Sequence, residues 1–190
     1  GAANLMNSSI VPGATTYEAG KSIHLCTGPL YHAAPLGYSL TIPHFFGCGV
    51  VLMDGWDAEQ SLGLIERHRV THTHMVPTMF HQLLVLPDDV RARYDVSSLR
   101  NVLHGAAPCP VGVKQRLIEW WGPVVNEYYA ATEGLGTWVD ARTWLRKPGT
   151  VGQPVPGDQV VVGDEAGNRM PPGEVGLVWL KASEVPFEYF

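Results

Sequence analysis

Residues 50–76 read VVLMDGWDAEQSLGLIERHRVTHTHMV, which has the pattern of one strand–helix–strand unit. The apolar run at 50–53 predicts a short buried strand. Asp57 is a typical helix N-cap residue, and the apolar spacing after it predicts a helix to about His68. Residues 71–76 predict the next strand. We expect this unit to be repeated along the chain.

The same alternation of strand and helix continues beyond this unit. The further elements are a helix from Pro77 to about Leu86, a strand at 99–104, a helix from Pro110 to about Trp121 and a strand at 124–129. Proline suits the first turn of a helix, and the Gly-Pro pair at 122–123 ends one. Strands that alternate with helices in this way predict an α/β fold, a parallel sheet with crossover helices.

The last quarter of the sequence has a different composition. Glycine and proline breakers become frequent, and two β-like runs, 159–162 and 175–180, flank a turn signal. We expect an antiparallel pair that starts an incomplete β-rich subdomain over residues 147–190. Residues 1–21 are polar and irregular, so the α/β subdomain is expected to cover residues 22–146.

Composition excludes several classes of protein. The 190 residues are 45% hydrophobic and 16% charged, which is too apolar for an intrinsically disordered chain. The net charge is −5 and no basic patch stands out, so we expect no nucleic-acid partner. Cys26, Cys48 and Cys109 are far apart and form no CxxC pair. This cysteine usage favours a reducing, cytoplasmic location over a disulfide framework or a cysteine zinc site.

A stretch without charged residues runs from Ser22 to Met53 and is long enough to span a bilayer. It contains Pro29, Pro35 and Pro43, together with four glycines. These interruptions favour several short buried elements over one membrane-spanning helix. Peripheral contact with a membrane stays open, and the sequence does not indicate an oligomeric state.

Two loops at predicted strand ends have the composition of a ligand site. In open parallel sheets, ligands bind beyond the carboxyl ends of the strands. Small residues at 105–107 let a planar ligand approach the main chain, and Tyr129 offers a ring for stacking. Thr132 offers a hydroxyl to a phosphate oxygen, and Glu133 offers a carboxylate to Mg²⁺. The alternative is a tight turn with Glu133 on a solvated helix start.

The segment Tyr129-Ala130-Ala131-Thr132-Glu133 resembles the Tyr-Gly-x-Thr-Glu signature of the adenylate-forming enzymes, which include acyl-CoA synthetases, nonribosomal adenylation domains and luciferases. Four further segments resemble motifs of that family in order and spacing: Pro29-Leu30-Tyr31-His32, Val70-Thr71-His72 with Val76-Pro77-Thr78, Gly105-Ala106-Ala107-Pro108 and Gly149-Thr150-Val151-Gly152-Gln153-Pro154. The resemblance runs from about residue 23 to residue 180. Residues 127–134 look most like those of bacterial fatty-acyl-CoA ligases.

The resemblance implies a fatty acid–CoA ligase that uses ATP, Mg²⁺ and CoA and activates a fatty carboxylate as its acyl-adenylate. Thr132 would contact the α-phosphate and Glu133 would hold Mg²⁺. His32 would border the acyl carboxylate or line the acyl entrance; the alternative is a helix-start histidine beside a buried Tyr31. The residues implied for the adenine are Gly105, Ala106, Ala107, Tyr129 and Ala130.

The sequence also departs from the family pattern. Ala130 stands where the family usually has glycine, and its methyl group could alter the approach of the nucleotide. The family's phosphate loop, ribose-binding Asp and catalytic Lys have no counterpart in these 190 residues. We therefore expect the central part of a longer enzyme, inactive in isolation. Two other interpretations stay open: a carrier-protein-directed adenylation domain, and a non-catalytic nucleotide- or acyl-binding module.

Two other features have simpler explanations than a site. His72 and His74 alternate on one predicted strand and point to the same side. Zinc needs a third and usually a fourth ligand, and the sequence places none, so we expect hydrogen-bonded histidines. Cys109 has no basic neighbour closer than Lys114 to activate its thiol, so we expect it to take no part in the chemistry.

Overall fold

The computed structural model describes residues 16–131 and 134–181 of the chain. The strands are β1 (Ile23–Cys26), β2 (Gly49–Leu52), β3 (His72–Met75), β4 (Asn101–His104), β5 (Val125–Ala131), β6 (Gly134–Val139), β7 (Gln153–Pro154), β8 (Gln159–Gly163) and β9 (Leu177–Lys181). A π-helical segment (Pro35–Thr41) continues into α1 (Ile42–Phe45). The other helices are α2 (Ala58–His68), α3 (Pro77–Val85), α4 (Asp88–Arg91), α5 (Val111–Trp121) and α6 (Ala141–Arg146).

The main sheet has seven strands in the order β2-β1-β3-β4-β5-β6-β7. The five strands β2, β1, β3, β4 and β5 are parallel. β6 and β7 add two antiparallel strands at the β5 side of the sheet. The four predicted strands correspond to β2, β3, β4 and β5, and the three predicted helices correspond to α2, α3 and α5. The predicted α/β fold is therefore confirmed.

Local signals in the sequence account for the ends of these helices. Asp57 caps α2, because its side chain accepts a hydrogen bond from the Gln60 N–H at 2.7 Å. Pro77 occupies the first turn of α3, where a missing N–H costs no helical hydrogen bond. Gly122 ends α5 with φ at 84°, a backbone conformation that glycine adopts without strain.

The uncharged stretch 22–53 forms β1, the π-helical segment, α1 and β2, so the prediction of several short elements is confirmed. Within residues 16–131 and 134–181, no helix combines the length and apolarity needed to cross a bilayer.

The end of the chain also contains elements that the sequence did not predict. Neither β6 nor α6 was expected, and β7 joins the main sheet by pairing with β6, although it lies within the predicted β-rich subdomain. β8 and β9 form a separate antiparallel sheet, as predicted. The subdomain boundary at residue 146 stays a prediction.

The two faces of the main sheet have different chemistry. Leu25, Val102 and Val125 lie in register on one face and pack against α2, α3 and α5 in the hydrophobic core. His24 and His72 are paired across β1 and β3 on the other face. On that second face, Tyr17 stacks on His72 with ring centroids 3.9 Å apart, so part of the segment predicted as irregular packs on the sheet.

Candidate functional site

The carboxyl ends of the parallel strands bring the predicted site segments to one edge of the sheet. His104, the last residue of β4, is in register with Glu127 of β5. The loop at 105–107 therefore emerges beside the last residues of β5. The structure thus places the 105–107 loop at the same edge of the sheet as Tyr129 and Ala130, as the strand-end argument predicted.

The loop after β4 presents its main chain to the outside. Gly105 is buried, whereas Ala106 and Ala107 are exposed and carry nothing larger than a methyl group. Ala106 has φ at 67°, a conformation that costs a residue with a β-carbon about 1–2 kcal/mol. Backbone strain of this kind clusters at ligand sites. The space at Gly105 is used by the protein itself, because a β-carbon there would lie 2.5 Å from Tyr128 Cζ.

Tyr129 is a partly exposed residue of β5 that pairs with β6. The exposed fraction of the residue is 43%, so part of Tyr129 is accessible to a ligand. Gly136 lies at a register shift between β5 and β6, and a β-carbon there would come within 2.7 Å of the Tyr129 carbonyl oxygen. This close approach could not be predicted from the sequence. Only a glycine fits at residue 136 while Tyr129 and Ala130 keep this shifted register.

Ala130 replaces the glycine of the family signature. It is partly buried and packs against the small hydrophobic cluster of Leu103 and Tyr128. The extra methyl group is thus in contact with the protein's own interior. Thr132 and Glu133, the two residues predicted for the phosphate and for Mg²⁺, lie outside the described residues, and their roles stay predictions.

His32 lies at the entry to the π-helical segment, beyond the carboxyl end of β1. Its N–H donates to the Pro29 carbonyl at 3.1 Å, and its own carbonyl accepts from the Leu36 N–H at 3.0 Å. The imidazole is exposed and lies 4.7 Å from the ring of Tyr31, centroid to centroid. Tyr31 is 84% exposed, so the expectation that it is buried is wrong, whereas the helix-start position of His32 agrees with the alternative interpretation. His32 shares an edge with the 105–107 loop, but β3 lies between their strands.

A layer of hydrogen-bonded aromatic side chains supports this edge from the polar face of the sheet. His74 Nε2 and the Tyr128 hydroxyl are 3.0 Å apart, and Tyr38 stacks on His74 with centroids 5.6 Å apart. His24 bonds with the Tyr17 hydroxyl at 2.6 Å. Burial lowers the pKa of His74 to about 4, so its imidazole is neutral at pH 7.

The buried histidines His72 and His74 are hydrogen-bonded, as expected. His72 Nδ1 and Nε2 lie 2.7 Å from the hydroxyls of Thr71 and Thr16. Burial, with a smaller contribution from Arg100, lowers the pKa of His72 to about 4. Among residues 16–131 and 134–181, no group of three His, Cys, Asp or Glu side chains could hold a metal ion.

Cys109 is not an activated nucleophile. Burial raises the pKa of its thiol to about 11, so at pH 7 it carries almost no thiolate, the reactive form. The prediction that Cys109 takes no part in the chemistry is consistent with this.

A buried ion pair on the helix side of the sheet was missed by the sequence analysis. Lys114 Nζ on α5 donates to Glu127 Oε2 on β5 at 2.6 Å, and the Lys114 side chain is 0% exposed. His104 Nε2 lies 3.5 Å from the same carboxylate oxygen. A lysine on a helix and a glutamate on a strand carry no pattern that marks them as partners, so only the tertiary structure shows the pair.

Comparison with known proteins gives a consistent family assignment. Residues 2–190 match the family of AMP-binding enzymes. A probable CoA ligase from Humulus lupulus is 29% identical over 91% of this chain and 32% of its own length. A long-chain-fatty-acid–CoA ligase from Bacillus subtilis is 27% identical over 98% of this chain and 34% of its own length. The chain thus spans about a third of these curated relatives.

A solved structure shows the same fold. The amide bond synthetase McbA from Marinactinospora thermotolerans superposes with a TM-score of 0.79 at 27% identity, covering 97% of this chain and 36% of that protein. The fold, the order of the sequence motifs and the family match agree. The chain belongs to the AMP-binding enzyme family, the adenylate-forming enzymes that its motifs resemble.

Proposed function

We propose that this chain is the central part of an ATP-dependent acid–CoA ligase, with the nucleotide bound at the carboxyl edge of β4 and β5. One observation carries the proposal. The exposed main chain at Ala106 and Ala107 emerges beside the strand that presents the half-exposed ring of Tyr129. An exposed backbone and a free aromatic ring on adjacent strands fit the two sides of a planar base.

The proposed reaction has two steps. A carboxylate oxygen attacks the α-phosphorus of ATP, which forms an acyl-adenylate and releases pyrophosphate. The CoA thiolate then attacks the acyl carbon, and AMP leaves with the bonding electrons. In this chain Tyr129 and the 105–107 loop would hold the adenine, Thr132 would contact the α-phosphate and His32 would border the carboxylate. Holding the carboxylate oxygen in line with the α-phosphorus can supply a large part of the rate enhancement of the adenylation step.

The proposed metal is Mg²⁺, with Glu133 as its protein ligand. Mg²⁺ prefers oxygen ligands and is commonly held by one or two carboxylates together with substrate phosphates. When bound, the ion neutralises negative charge on the phosphates.

For the acid we propose a fatty carboxylate, supported by the resemblance of residues 127–134 to bacterial fatty-acyl-CoA ligases and by the similarity to the Bacillus subtilis enzyme. We propose a cytoplasmic enzyme, with peripheral membrane contact where it collects a lipid substrate. A carrier protein as acceptor and a non-catalytic binding module are the competing interpretations.

Product analysis tests the proposal. The full-length protein is incubated with ATP, Mg²⁺, CoA and a panel of fatty, aromatic and short-chain acids, and acyl-CoA and AMP are quantified by mass spectrometry. We expect acyl-CoA and AMP in equal amounts, with fatty acids preferred. Acyl-adenylate that accumulates without CoA transfer would favour a carrier-protein acceptor. Folded protein that releases no AMP with any acid would support the binding module.

A further inference from the structure

The buried ion pair of Lys114 and Glu127 lies beside the proposed adenine site. Their charged atoms are 2.6 Å apart, and the side chains are 0% and 10% exposed. Removing two charges from water is costly, and an apolar pair of similar size often stabilises a fold equally well. Stability alone therefore does not explain why this position holds an ion pair.

The position of the pair relates it to the nucleotide. Glu127 precedes Tyr129 by two residues on β5, and side chains two apart on a strand share a face. Lys114 lies on α5, the helix that begins at Val111, four residues after the 105–107 loop. The ion pair thus connects the two segments that frame the proposed adenine site.

The surroundings favour a fixed geometry for the pair. The ring of Trp144 lies 4.9 Å from Lys114 Nζ, on a helix that follows β6. His104 lies beside the Glu127 carboxylate, and burial and the nearby Lys114 charge hold the pKa of its imidazole well below the ordinary value. A neutral His104 leaves Lys114 as the cation that Glu127 faces at short range. Both charged side chains are therefore confined to one arrangement.

We propose that Lys114 and Glu127 are positioning residues that set the spacing between Tyr129 and the 105–107 loop, and through it the affinity for ATP. This rests on the proposed function, because it assumes that the nucleotide binds at this edge. On the opposite face of β5, the ring of Tyr128 packs against Gly105. The end of β5 is thus tied to the β4–α5 connection from both faces.

The test is the double variant Lys114→Met/Glu127→Leu of the full-length protein, which replaces both charges together and leaves no buried charge unpaired. We expect its melting temperature to stay within about 5 °C of the wild type. We expect the KM for ATP to rise about tenfold, since small misplacements at a site have large kinetic effects, while the KM for CoA is unchanged. Lys114→Gln/Glu127→Gln can keep one hydrogen bond between the side chains and should restore most of the ATP affinity.

The exposed pair of Arg93 and Asp89, 3.4 Å apart, provides a matched control. Arg93→Gln/Asp89→Asn should leave every kinetic constant unchanged. If the apolar double variant does not fold, Lys114→Arg replaces it: the charge remains, the longer side chain displaces Glu127, and the KM for ATP should again rise.

The outcomes separate this proposal from the proposed function. A wild-type protein that binds ATP, with a folded double variant of unchanged KM for ATP, contradicts the positioning role alone. If the double variant is unfolded, an unchanged KM for ATP in Lys114→Arg contradicts it in the same way. A folded wild-type protein that binds no ATP contradicts the proposed function itself, and the positioning role with it.

Discussion

Gly105 lies so close to the ring of Tyr128 that no side chain fits between them: a β-carbon at residue 105 would come within 2.5 Å of Tyr128 Cζ. The ring is buried, and its hydroxyl lies 3.0 Å from His74 Nε2. Moving the ring aside would break this hydrogen bond. The contact therefore ties the loop after β4 to β5 at the proposed nucleotide edge.

Gly105→Ala should damage both stability and nucleotide binding. The added methyl group displaces Tyr128, and overpacking of this kind costs about 1–3 kcal/mol. The KM for ATP should rise because the loop and Tyr129 move relative to each other. Urea unfolding and pyrophosphate exchange measure the two effects. In the control, Gly112→Ala on α5, no atom beyond the chain neighbours and the backbone of the same helix lies within 4 Å of the new β-carbon, and stability should be unchanged or higher.

Tyr128→Phe separates the ring from its hydroxyl. The ring keeps its place on Gly105, but His74 loses a buried hydrogen-bond partner, so the free energy of unfolding should fall by about 1–2 kcal/mol. The KM for ATP should not change. Tyr31→Phe, at a residue that is 84% exposed, is the matched control and should alter neither quantity. A Tyr128→Phe protein as stable as wild type would show that the hydrogen bond contributes nothing.

The buried histidines predict a loss of stability in mild acid. The pKa values of His72 and His74 are lowered from 6.5 to about 4, so the unfolded chain binds protons in this window and the native fold does not. Unfolding takes up protons, and the free energy of unfolding falls as the pH drops from 6.5 towards 4. At pH 5 the loss should be about 2 kcal/mol for each histidine.

Urea titrations between pH 7.5 and pH 5 measure this dependence. The variant His72→Asn/His74→Asn removes both titrating groups, so its stability should vary less with pH than that of the wild type. Equal pH dependence in the two proteins would mean that other groups cause the acid sensitivity.

Glu133→Gln should impair adenylation far more than folding. The substitution keeps the size of the side chain and removes the charge that would bind Mg²⁺, and a neutral amide oxygen binds a hard dication more weakly. We expect a loss of about 10²-fold in the adenylation rate, as when one preorganised electrostatic partner is removed. Thioester formation from supplied acyl-adenylate should suffer less, because no pyrophosphate leaves in that step. Equal losses in both half-reactions, or a collapse of stability, would make Glu133 a structural residue.

The repeating part of the fold could be predicted because its signals are local. Asp57 marks the start of a helix through its side chain, and Gly122 marks the end of another through its backbone conformation. The short apolar runs that separate the helices mark the strands. In the stretch 22–53 the absence of charge removes the polar–apolar contrast that reveals periodicity. β1 and the π-helical segment could not be delimited there for that reason.

The site could be predicted only in outline. The strand-end rule located the 105–107 loop and Tyr129 because it depends on topology alone. Gly105 was interpreted as room for a ligand, whereas the structure fills that space with Tyr128. The pairing of Lys114 with Glu127 depends on how α5 packs on β5, and neither residue type signals burial by itself.

A crystal structure of the full-length protein with a non-hydrolysable ATP analogue would show directly whether the nucleotide binds at this edge. We expect the adenine between the main chain at 105–107 and the ring of Tyr129, with the α-phosphate towards Thr132. A nucleotide bound elsewhere, with the carboxyl edge of β4 and β5 free of ligand, would contradict this expectation.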